Sequence, residues 1–377
     1  MQLTSTNSSI GLIYALKKIF ILFNINQKKI KTYRTDIMRV FITGGAGFIG
    51  YNCCNFFFNK NFKVKTIDNL SRKTSKINYK ALKKNKKIIT QILDVKDYSK
   101  LEKSILSFKP NLIINCAGQV AVTTSIVNPR LDFETNVIGT LNLLEILRKN
   151  KLNTKFIHLS TNKVYGNLNY LKLKTKKKRY EFKKIKNGID ENFNLDFHSP
   201  YGCSKGSADQ YVIDYKRIYN LDTYVIRQSC IYGPYQFGLQ DQGWVAWFMI
   251  CSILNKKISI YGNGKQVRDI LHINDLIELF YKIYKNKKHL NSNVFNCGGG
   301  IKNSLSILDL CEYINKLNTN KVKYNFKKER KGDQKIFISN NNLLKKNFKW
   351  YPKISKFSGI KSLHKWMLSN IDDIKKV

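Results

Sequence analysis

A short apolar segment followed at once by a glycine-rich turn constrains this chain more than any other feature of its sequence. Residues 39–43 read RVFIT, a β-rich run of the kind that a buried parallel strand needs, and glycines follow at 44, 47 and 50. Such a turn allows backbone N–H groups at the start of the next helix to approach a diphosphate, and the positive end of that helix favours the same anion. The pattern predicts the opening strand, turn and helix of a dinucleotide-binding fold.

An acidic residue at the end of the next predicted strand supports this interpretation. Residues 63–67 read KVKTI, and Asp68 follows them. A carboxylate there can accept hydrogen bonds from both ribose hydroxyls of an adenosine, and it would repel a phosphate on either one. We therefore expect NAD rather than NADP, although Arg72 and Lys73 nearby keep NADP open as an alternative.

Further apolar runs at 91–95, 111–116, 155–159 and 223–227 predict more buried strands, with a helical pattern at 136–145. Together they indicate an α/β protein with a Rossmann-type doubly wound parallel sheet. Asp94 could reach the adenine amino group or could simply cap its strand end, and both interpretations stay open. Ala117 and Gly118 follow the 111–116 strand, where small residues allow a cofactor to lie against the backbone. Hydroxyl and amide groups that could meet nicotinamide and sugar come next: Gln119, Thr123, Thr124 and Ser125.

Tyr201 and Lys205 lie four residues apart at the start of a helical pattern, so their side chains should share one face of a helix. A tyrosine has an ordinary pKa of about 10, and a nearby ammonium favours the phenolate. We expect Lys205 to lower the pKa of Tyr201, which would then take a proton from a substrate hydroxyl. Thr161, at the end of the 155–159 strand, is a third catalytic candidate. Each of these residues alone is also compatible with an ordinary helix turn or strand end.

The predicted division of the chain has three parts. Residues 1–37 form an N-terminal extension outside the fold, since Met38 directly precedes the first strand. Residues 38–230, with 266–298 returning to them, form the NAD-binding Rossmann domain. Residues 231–265 and 299–377 form a smaller α/β domain that binds the substrate as a lid, and a lysine-rich insertion at 167–191 is expected to be a hairpin.

The chain carries a formal net charge of +42 over 377 residues, which would suit nucleic acid or an anionic membrane surface. Lysine is spread along the whole sequence rather than gathered in one stripe, so we interpret the charge as general residue usage and expect no specific nucleic-acid partner. The apolar runs 10–16 and 19–23 are separated by Lys17 and Lys18 and are too short for stable membrane insertion. The eight cysteines show no metal-ligand spacing, so no metal site and a reducing, cytoplasmic location are expected.

With these motifs in order, the chain resembles the extended short-chain dehydrogenase/reductases that act on nucleotide sugars, over residues 38–370. Longer strings narrow the resemblance to the CDP-paratose 2-epimerase family within that group: DNLSRK, AGQVAVTTS, STNKVYG, DFHSPYGCSKG, DQGW and GNGKQVRD. The resemblance implies an NAD-dependent isomerase of polysaccharide biosynthesis. Such an enzyme oxidises sugar carbon 2 transiently and returns the hydride to the other face, converting CDP-paratose to CDP-tyvelose. A homo-oligomer is expected.

The resemblance also assigns residues. Thr161, Tyr201 and Lys205 are the implied catalytic residues, and Tyr201 and Lys205 also contact the cofactor. The other implied cofactor contacts are Gly44, Gly47, Phe48, Ile49, Gly50, Asp68, Asn69, Asp94, Val95, Ala117, Gly118 and Gln119. The implied substrate contacts are Thr123, Thr124, Ser125, Asn162, His198, Arg268 and Arg330, of which the two arginines suit a diphosphate.

Two alternatives remain open at this point. The nearer one is a UDP-hexose 4-epimerase, which would use the same residues. The other is a basic NAD- and RNA-binding protein without turnover, which is disfavoured because Thr161, Tyr201 and Lys205 are all present. Dehydration is not expected, because related 4,6-dehydratases carry an Asp-Glu pair after the threonine to move protons, and Asn162 and Lys163 occupy those positions here.

Overall fold

The computed structural model describes residues 17, 18, 37–330 and 333–376. The predicted extension 1–37 therefore lies outside the described residues except for Lys17, Lys18 and Ile37. The described residues from Arg39 onward form one compact unit. Within the described residues, no helix combines the length and the apolar character needed to cross a membrane.

A seven-stranded parallel sheet forms the centre of this unit and confirms the predicted Rossmann-type architecture. Its first four strands in chain order are β1 (Arg39–Thr43), β2 (Lys63–Asp68), β3 (Ile89–Ile92) and β4 (Leu112–Asn115). Strands β5 (Lys155–Thr161), β8 (Thr223–Gln228) and β12 (Val294–Cys297) complete it. The strand order is β12-β8-β5-β4-β1-β2-β3, and every neighbouring pair is parallel. The order reverses between β1 and β4, and open parallel sheets bind ligands at the carboxyl ends of their strands at such a point.

Helices cover both faces of the sheet, because each strand is apolar on both sides. Val40 and Ile42 of β1 pack toward one face, and Phe41 between them packs toward the other. The helices in chain order up to residue 219 are α1 (Phe48–Asn59), α2 (Lys73–Lys84), α3 (Tyr98–Phe108), α4 (Val122–Val127), α5 (Pro129–Phe133), α6 (Gly139–Lys149) and α7 (Ser199–Tyr219). A π-helical turn (Glu134–Ile138) joins α5 to α6, and a 3₁₀ turn (Asn162–Tyr165) follows β5.

The rest of the chain builds a smaller α/β layer beside the carboxyl ends of the strands. The helices in this part of the chain are α8 (Trp244–Ile253), α9 (Ile273–Lys285), α10 (Ile307–Leu317), α11 (Asn342–Phe348), α12 (Lys356–Ser369) and α13 (Ile371–Lys375). Two of these helices return to the large sheet and do not belong to the smaller layer, since α9 packs on α1 and α11 packs on β12.

Small sheets complete this layer. Strand β11 (Val267–His272) pairs with β9 (Cys230–Tyr232), β13 (Ser304–Ser306) and β15 (Ile336–Phe337), and β10 (Lys257–Tyr261) pairs with β14 (Lys323–Lys327). Of the segment 266–298, β12 thus joins the large sheet and β11 joins a small one. The domain limits themselves stay a prediction.

The lysine-rich insertion at 167–191 contains an antiparallel hairpin, as expected from its sequence. Its strands are β6 (Leu173–Thr175) and β7 (Tyr180–Phe182). Leu173 and Phe182 pack against Val267, Ile336 and Ile338. The insertion is therefore attached to the smaller layer through apolar contacts, while its lysines remain largely exposed.

A buried ion pair joins α7 to the large sheet. Arg227 of β8 donates two hydrogen bonds to Asp209 of α7, from Nε to Oδ2 and from Nη2 to Oδ1, each 2.9 Å long. Ser160 of β5 donates a third bond to the same carboxylate at 2.7 Å. The side chains of Arg227 and Asp209 are 4% and 0% exposed. This pairing fixes the helix that carries Tyr201 and Lys205 against the strand that carries Thr161.

We expect Asp209→Ala to destabilise the protein strongly, because it leaves the buried Arg227 guanidinium without its counter-charge. Breaking a buried pair in this way costs about 3–5 kcal/mol in the free energy of unfolding. Urea denaturation followed by circular dichroism measures the change. Arg217→Ala is the matched control, since Arg217 pairs with Asp214 on the exposed side of the same helix and such pairs contribute only about 0–1 kcal/mol. Equal losses for the two variants would contradict the structural role of the buried pair.

Candidate active site

A cleft of about 760 Å³ opens at the carboxyl ends of the large sheet, at the point where the strand order reverses. One wall consists of the turn after β1 and the ends of β2, β4 and β5, and the other comes from residues 228–245, Arg330 and Asp333. The predicted residues that line it are Gly44, Gly47, Phe48, Ile49, Gly50, Asp68, Asn69, Val95, Ala117, Gly118, Gln119, Thr123, Thr161, Asn162, Tyr201 and Arg330. These residues therefore lie around one cavity, and their roles in it stay a prediction.

The glycine-rich turn requires its glycines because the backbone approaches other backbone atoms closely. Gly44 has a φ of +64°, and a Cβ there would lie 2.7 Å from the Ala117 nitrogen. A Cβ on Gly50 would lie 2.2 Å from the Gly44 oxygen. Gly47 is the N-cap of α1 without a side-chain cap, and the first turn of α1 contains no acidic residue. The N-terminus of this helix is therefore suited to an anion.

Asp68 at the end of β2 is fixed by the turn that follows β1. Its Oδ2 accepts a hydrogen bond from the Ala46 N–H at 3.0 Å, and its Oδ1 accepts one from the Leu70 N–H at 2.8 Å. Burial raises the pKa of Asp68, although these bonds and the charge of Arg72 oppose the change. A carboxylate accepts about four hydrogen bonds, so each oxygen retains capacity for a ligand hydroxyl.

Asp94 does not line the cleft, in contrast to its neighbour Val95. Its carboxylate accepts hydrogen bonds from the Asn69 amide and from the Lys96 N–H, each 2.9 Å long. These contacts are those of a loop cap, which was one of the two interpretations left open by the sequence.

The end of β4 presents backbone rather than side chains to the cleft. The Ala117 N–H donates to the Thr43 hydroxyl at 3.1 Å, which holds β4 against β1. The Gln119 side chain bonds inward to Ala121 and to Asp132 Oδ1, the latter at 3.0 Å. Gln119 therefore shapes the cleft wall, and its amide is already engaged within the protein.

Tyr201 and Thr161 meet at the bottom of the cleft. Tyr201 is 8% exposed and Thr161 6% exposed, and both line the cavity. Burial raises the pKa of Tyr201 to about 12, although the nearby Thr161 hydroxyl and the charge of Arg72 favour the phenolate. This is the opposite of the direction expected from the sequence, because the cost of burying a phenolate exceeds the effect of Arg72 in the protein alone.

Lys205 lies one helical turn beyond Tyr201 and is buried beneath the cleft rather than lining it. Its ammonium donates a hydrogen bond to the Leu159 carbonyl of β5. Burial lowers the pKa of Lys205 to about 8, although Asp209 and Asp132 favour its charged form. The ammonium is thus anchored to the strand that ends in Thr161.

A buried polar cluster beside Tyr201 was not found from the sequence. Asp132 is 0% exposed and accepts hydrogen bonds from the Gln119 and Asn136 amides, at 3.0 and 3.3 Å, and from the Ser204 hydroxyl. Burial raises the pKa of Asp132, although these bonds oppose the change. The sequence does contain a possible signal for this cluster, since Asp132 and Asn136 lie four residues apart. The apolar helical pattern that begins at Asn136 instead predicts a core helix.

The three hydroxyl residues at 123–125 point in different directions because they occupy successive positions of the short helix α4. Thr123 lines the cleft, and its buried hydroxyl has no hydrogen-bond partner among the described residues. Thr124 is exposed away from the cleft. Ser125 is buried and accepts a hydrogen bond from the Tyr201 N–H at 3.1 Å, so it supports the helix rather than the cavity.

Asn162 and His198, both predicted substrate contacts, differ in position. Asn162 lines the cleft and its amide donates to Gln334 at 3.0 Å. His198 lies outside the cleft lining and contacts the Asp196 carboxylate at 2.9 Å, with 35% of its side chain exposed.

The two predicted diphosphate-binding arginines have different surroundings. Arg330 lines the cleft, lies 4.0 Å above the centre of the Tyr261 ring and contacts Asp241 at 3.4 Å. Arg268 does not line the cleft. Its guanidinium is paired with Asp333 at 2.9 Å.

Asp333 lines the cleft, and its carboxylate also receives Lys163 at 3.1 Å. Burial alone would raise the pKa of Asp333, but the charges of Arg268 and Lys163 lower it to about 2. Lys163, Arg268 and Asp333 thus form a compact ion cluster in the cleft wall.

Several other cleft residues were not assigned from the sequence. Arg72 lines the cleft, and its Nη1 donates a hydrogen bond to Gln242. Gln236 and Trp244 also line it, and each has one buried polar atom without a partner among the described residues. The string DQGW at 241–244 contributes to the family resemblance, but the sequence does not show which residues this loop contacts in the folded chain.

No metal site is evident in the described part of the chain, where no group of three His, Cys, Asp or Glu residues is arranged to hold an ion. The eight cysteines are all free.

Comparison with known proteins gives a consistent assignment. The family model described as GDP-mannose 4,6 dehydratase matches residues 41–363. The chain is 41% identical over 337 residues to the CDP-paratose 2-epimerase of Salmonella typhi, covering 88% of this chain and 100% of that protein. It is 30% identical over 339 residues to a putative UDP-glucose 4-epimerase of Methanocaldococcus jannaschii, covering 88% and 99%.

A solved structure, UDP-glucuronic acid 4-epimerase from Bacillus cereus in complex with UDP-glucuronic acid and NAD, superposes with a TM-score of 0.76 at 25% identity. The match covers 88% of this chain and 100% of that one. The family model and the relatives match most of the chain, and the Rossmann-type fold described above is consistent with these matches. This chain therefore belongs to the GDP-mannose 4,6-dehydratase family.

Proposed function

We propose that this protein is an NAD-dependent nucleotide-sugar epimerase that converts CDP-paratose to CDP-tyvelose by transient oxidation at sugar carbon 2. The observation that carries the proposal is the meeting of Thr161 and Tyr201 in a cleft that begins at the glycine-rich turn. The 41% identity with a CDP-paratose 2-epimerase over that protein's full length supports the choice of sugar. Similarity to 4-epimerases is lower, at 30% for the relative named above.

The residues around the cleft fit NAD. The turn at Gly44 and Gly50 leaves no room for a Cβ, so backbone rather than side chain faces the cleft there. The uncapped N-terminus of α1 suits the cofactor diphosphate, and Asp68 has acceptor capacity for the adenosine ribose. Asn69, Val95, Ala117 and the other cleft-lining residues would complete the site.

In this proposal Tyr201 exchanges a proton with the substrate hydroxyl on carbon 2, and Thr161 orients that hydroxyl. When bound, NAD supplies a hydride acceptor that becomes the hydride donor, together with a positive charge on its nicotinamide ring. A cation beside a buried phenol favours its deprotonation, so the raised pKa of Tyr201 describes the protein alone. Lys205, anchored to Leu159 beneath the cleft, holds in place the helix face that carries Tyr201.

The reaction requires that the hexose turn over while the rest of the substrate stays bound. Arg330 in the cleft wall is the proposed ligand of the substrate diphosphate, and Thr123 and Asn162 are the proposed sugar contacts. Arg268 acts with Asp333 and Lys163 as an ion cluster behind the sugar. Thr124, Ser125 and His198 have no direct role in this proposal because the cleft does not reach them.

Dehydration is not part of the proposal although the family name includes it. The two positions after Thr161 carry an amide bonded to Gln334 and an ammonium bonded to Asp333. Neither group is a carboxylic acid able to move the protons of water loss.

We further propose a cytoplasmic enzyme of polysaccharide biosynthesis that forms a homo-oligomer and has a Rossmann domain and a lid with the predicted limits. Self-association is supported by exposed apolar side chains on helices that pack together, α4, α5 and α7: Ile126, Val127, Phe133, Ile218 and Tyr219.

We expect purified protein to convert CDP-paratose to CDP-tyvelose without net oxidation or reduction. Proton NMR of the sugar follows the inversion at carbon 2, with UDP-glucose tested in parallel. Inversion at carbon 4 of the UDP-sugar with inert CDP-paratose would refute the chosen substrate and favour a UDP-hexose 4-epimerase.

We expect Tyr201→Phe to lower turnover by about 10²–10⁴-fold, because the hydroxyl transfers a proton in the reaction. Bound nucleotide, measured after acid release from the purified protein, should stay at the wild-type level. Tyr211→Phe is the control, since Tyr211 lies on the same helix with 44% of its side chain exposed. A near-normal rate in Tyr201→Phe would show that the base is a different group.

We expect Asp68→Asn to shift cofactor preference from NAD toward NADP by about 10- to 100-fold, the size expected for a hydrogen-bonded charge. The amide keeps the shape but removes the charge that repels a 2′-phosphate. Dissociation constants for both cofactors, measured by calorimetry on nucleotide-free protein, give the ratio. Asp94→Asn should leave the ratio and both affinities unchanged, and weakened NAD binding in that variant would restore Asp94 as an adenine contact.

A further inference from the structure

Arg72 connects the two walls of the cleft. The residue immediately precedes α2, on the wall that carries Asp68, and its Nη1 donates a hydrogen bond to Oε1 of Gln242. Gln242 belongs to the loop that precedes α8 on the opposite wall, 170 residues further along the chain. Both side chains line the cavity. We call this contact the Arg72–Gln242 bridge.

The charge of Arg72 acts on both ends of the proposed cofactor site. It favours the ionised form of Asp68 and that of Tyr201. In the proposed function, Asp68 contacts the adenosine ribose and Tyr201 lies beside the nicotinamide. Arg72 lines the same cavity as both residues and as the turn at Gly47, and the diphosphate of a dinucleotide bound there would join the two nucleosides within that cavity.

A helix N-terminus that lines the same cavity as Arg72 is already suited to an anion. The turn at Gly47 and the N-terminus of α1 offer backbone N–H groups without a capping side chain or a nearby first-turn acid. A guanidinium carries five N–H donors, and among the described residues that of Arg72 uses one of them in a hydrogen bond to Gln242. Its remaining donors are available to phosphate oxygens, which arginine binds in bidentate geometry.

We propose that Arg72 is a further positioning residue for the cofactor diphosphate, and that Gln242 holds its guanidinium in the cavity that the N-terminus of α1 also lines. This inference rests on the proposed NAD-dependent function and adds to it a residue that retains the cofactor between turnovers. Retention matters to this reaction because the hydride removed from the sugar must return to the same molecule.

The loop that carries Gln242 has a second mark of a ligand site. Gln236 is 7% exposed and lines the same cavity, and its Oε1 has no partner among the described residues. Its amide nitrogen is bonded to the Ile231 carbonyl at 3.1 Å, which fixes the side chain beside Gly243. A buried acceptor of this kind is costly unless a ligand satisfies it.

The test compares Arg72→Gln with Lys73→Gln on nucleotide-free protein. Both variants lose one positive charge at adjacent positions, but Lys73 is exposed and does not line the cleft. We expect Arg72→Gln to raise the dissociation constant for NAD by about 10- to 100-fold, because losing a hydrogen bond to a charged group weakens binding by about this factor. The variant should also lose bound NAD during gel filtration. Lys73→Gln should bind NAD as the wild type does. Equal NAD affinity in the two variants would overturn the proposal.

A second variant tests the bridge without removing the charge. Gln242→Ala leaves the guanidinium in place but frees it to move, so the dissociation constant for NAD should rise by about 3- to 10-fold, the range for one neutral hydrogen-bond partner. Unchanged binding in Gln242→Ala would remove Gln242 from the proposal. Arg72→Lys should recover part of the affinity that Arg72→Gln loses, because it restores the charge but not the planar fork.

The diphosphate of the nucleotide sugar is the other possible partner of Arg72, and binding of CDP distinguishes the two. Arg72→Gln should bind CDP with wild-type affinity, and a variant that keeps NAD but loses CDP would overturn the assignment to the cofactor. The readouts are also independent of the sugar substrate. If CDP-paratose were inert while Arg72→Gln lost NAD, the proposed substrate would fail and the role of Arg72 would stand.

Discussion

The close approach of the turn after β1 to the end of β4 is the constraint on which the rest of the cleft depends. Gly44 adopts a positive φ and lies so near Ala117 that no side chain fits between them. This contact places the N-terminus of α1 above the sheet, and the Ala46 N–H of the same turn fixes the carboxylate of Asp68. One turn therefore positions both the proposed diphosphate-binding backbone and the proposed ribose-binding carboxylate. This explains why three glycines and Asp68, which lies 24 residues after the first of them, act as a unit.

A second rigid unit positions the proposed catalytic residues. Lys205 is anchored to β5 through the Leu159 carbonyl, and Asp209 one turn later is held by Ser160 of β5 and Arg227 of β8. Because Thr161 ends the same strand β5, helix α7 and the strand cannot shift independently. Tyr201 consequently meets Thr161 through packing that lies beneath the cleft, and the cleft itself remains open for ligands.

The sequence predicted the parts of the site that depend on local order along the chain. Tyr201 and Lys205 share a helix face because of their spacing, and Asp68 reaches the cleft because it ends a strand beside β1. The surroundings of the other predicted residues depend on the direction of a side chain or on partners far away in the sequence. Thr124 and Ser125 follow Thr123 on a helix, so only one of the three faces the cavity, and this orientation is set by packing. The contacts of Arg268 with Asp333 and of Arg72 with Gln242 join residues far apart in sequence. The pKa of Tyr201 is raised because burial depends on the whole fold.

The distribution of charge around the cleft is compatible with the two diphosphates of the proposed function and with a buried phenol whose pKa is raised. Arg330, Lys163, Asp333 and Arg72 line the cleft, and Arg268 pairs with Asp333 outside that lining. The carboxylates of Asp333 and Asp241 offset part of this positive charge. Burial then dominates the pKa of Tyr201 until a further cation arrives beside it. A base that is weak in the empty cleft and stronger when a cationic ring is bound would act only in the loaded enzyme.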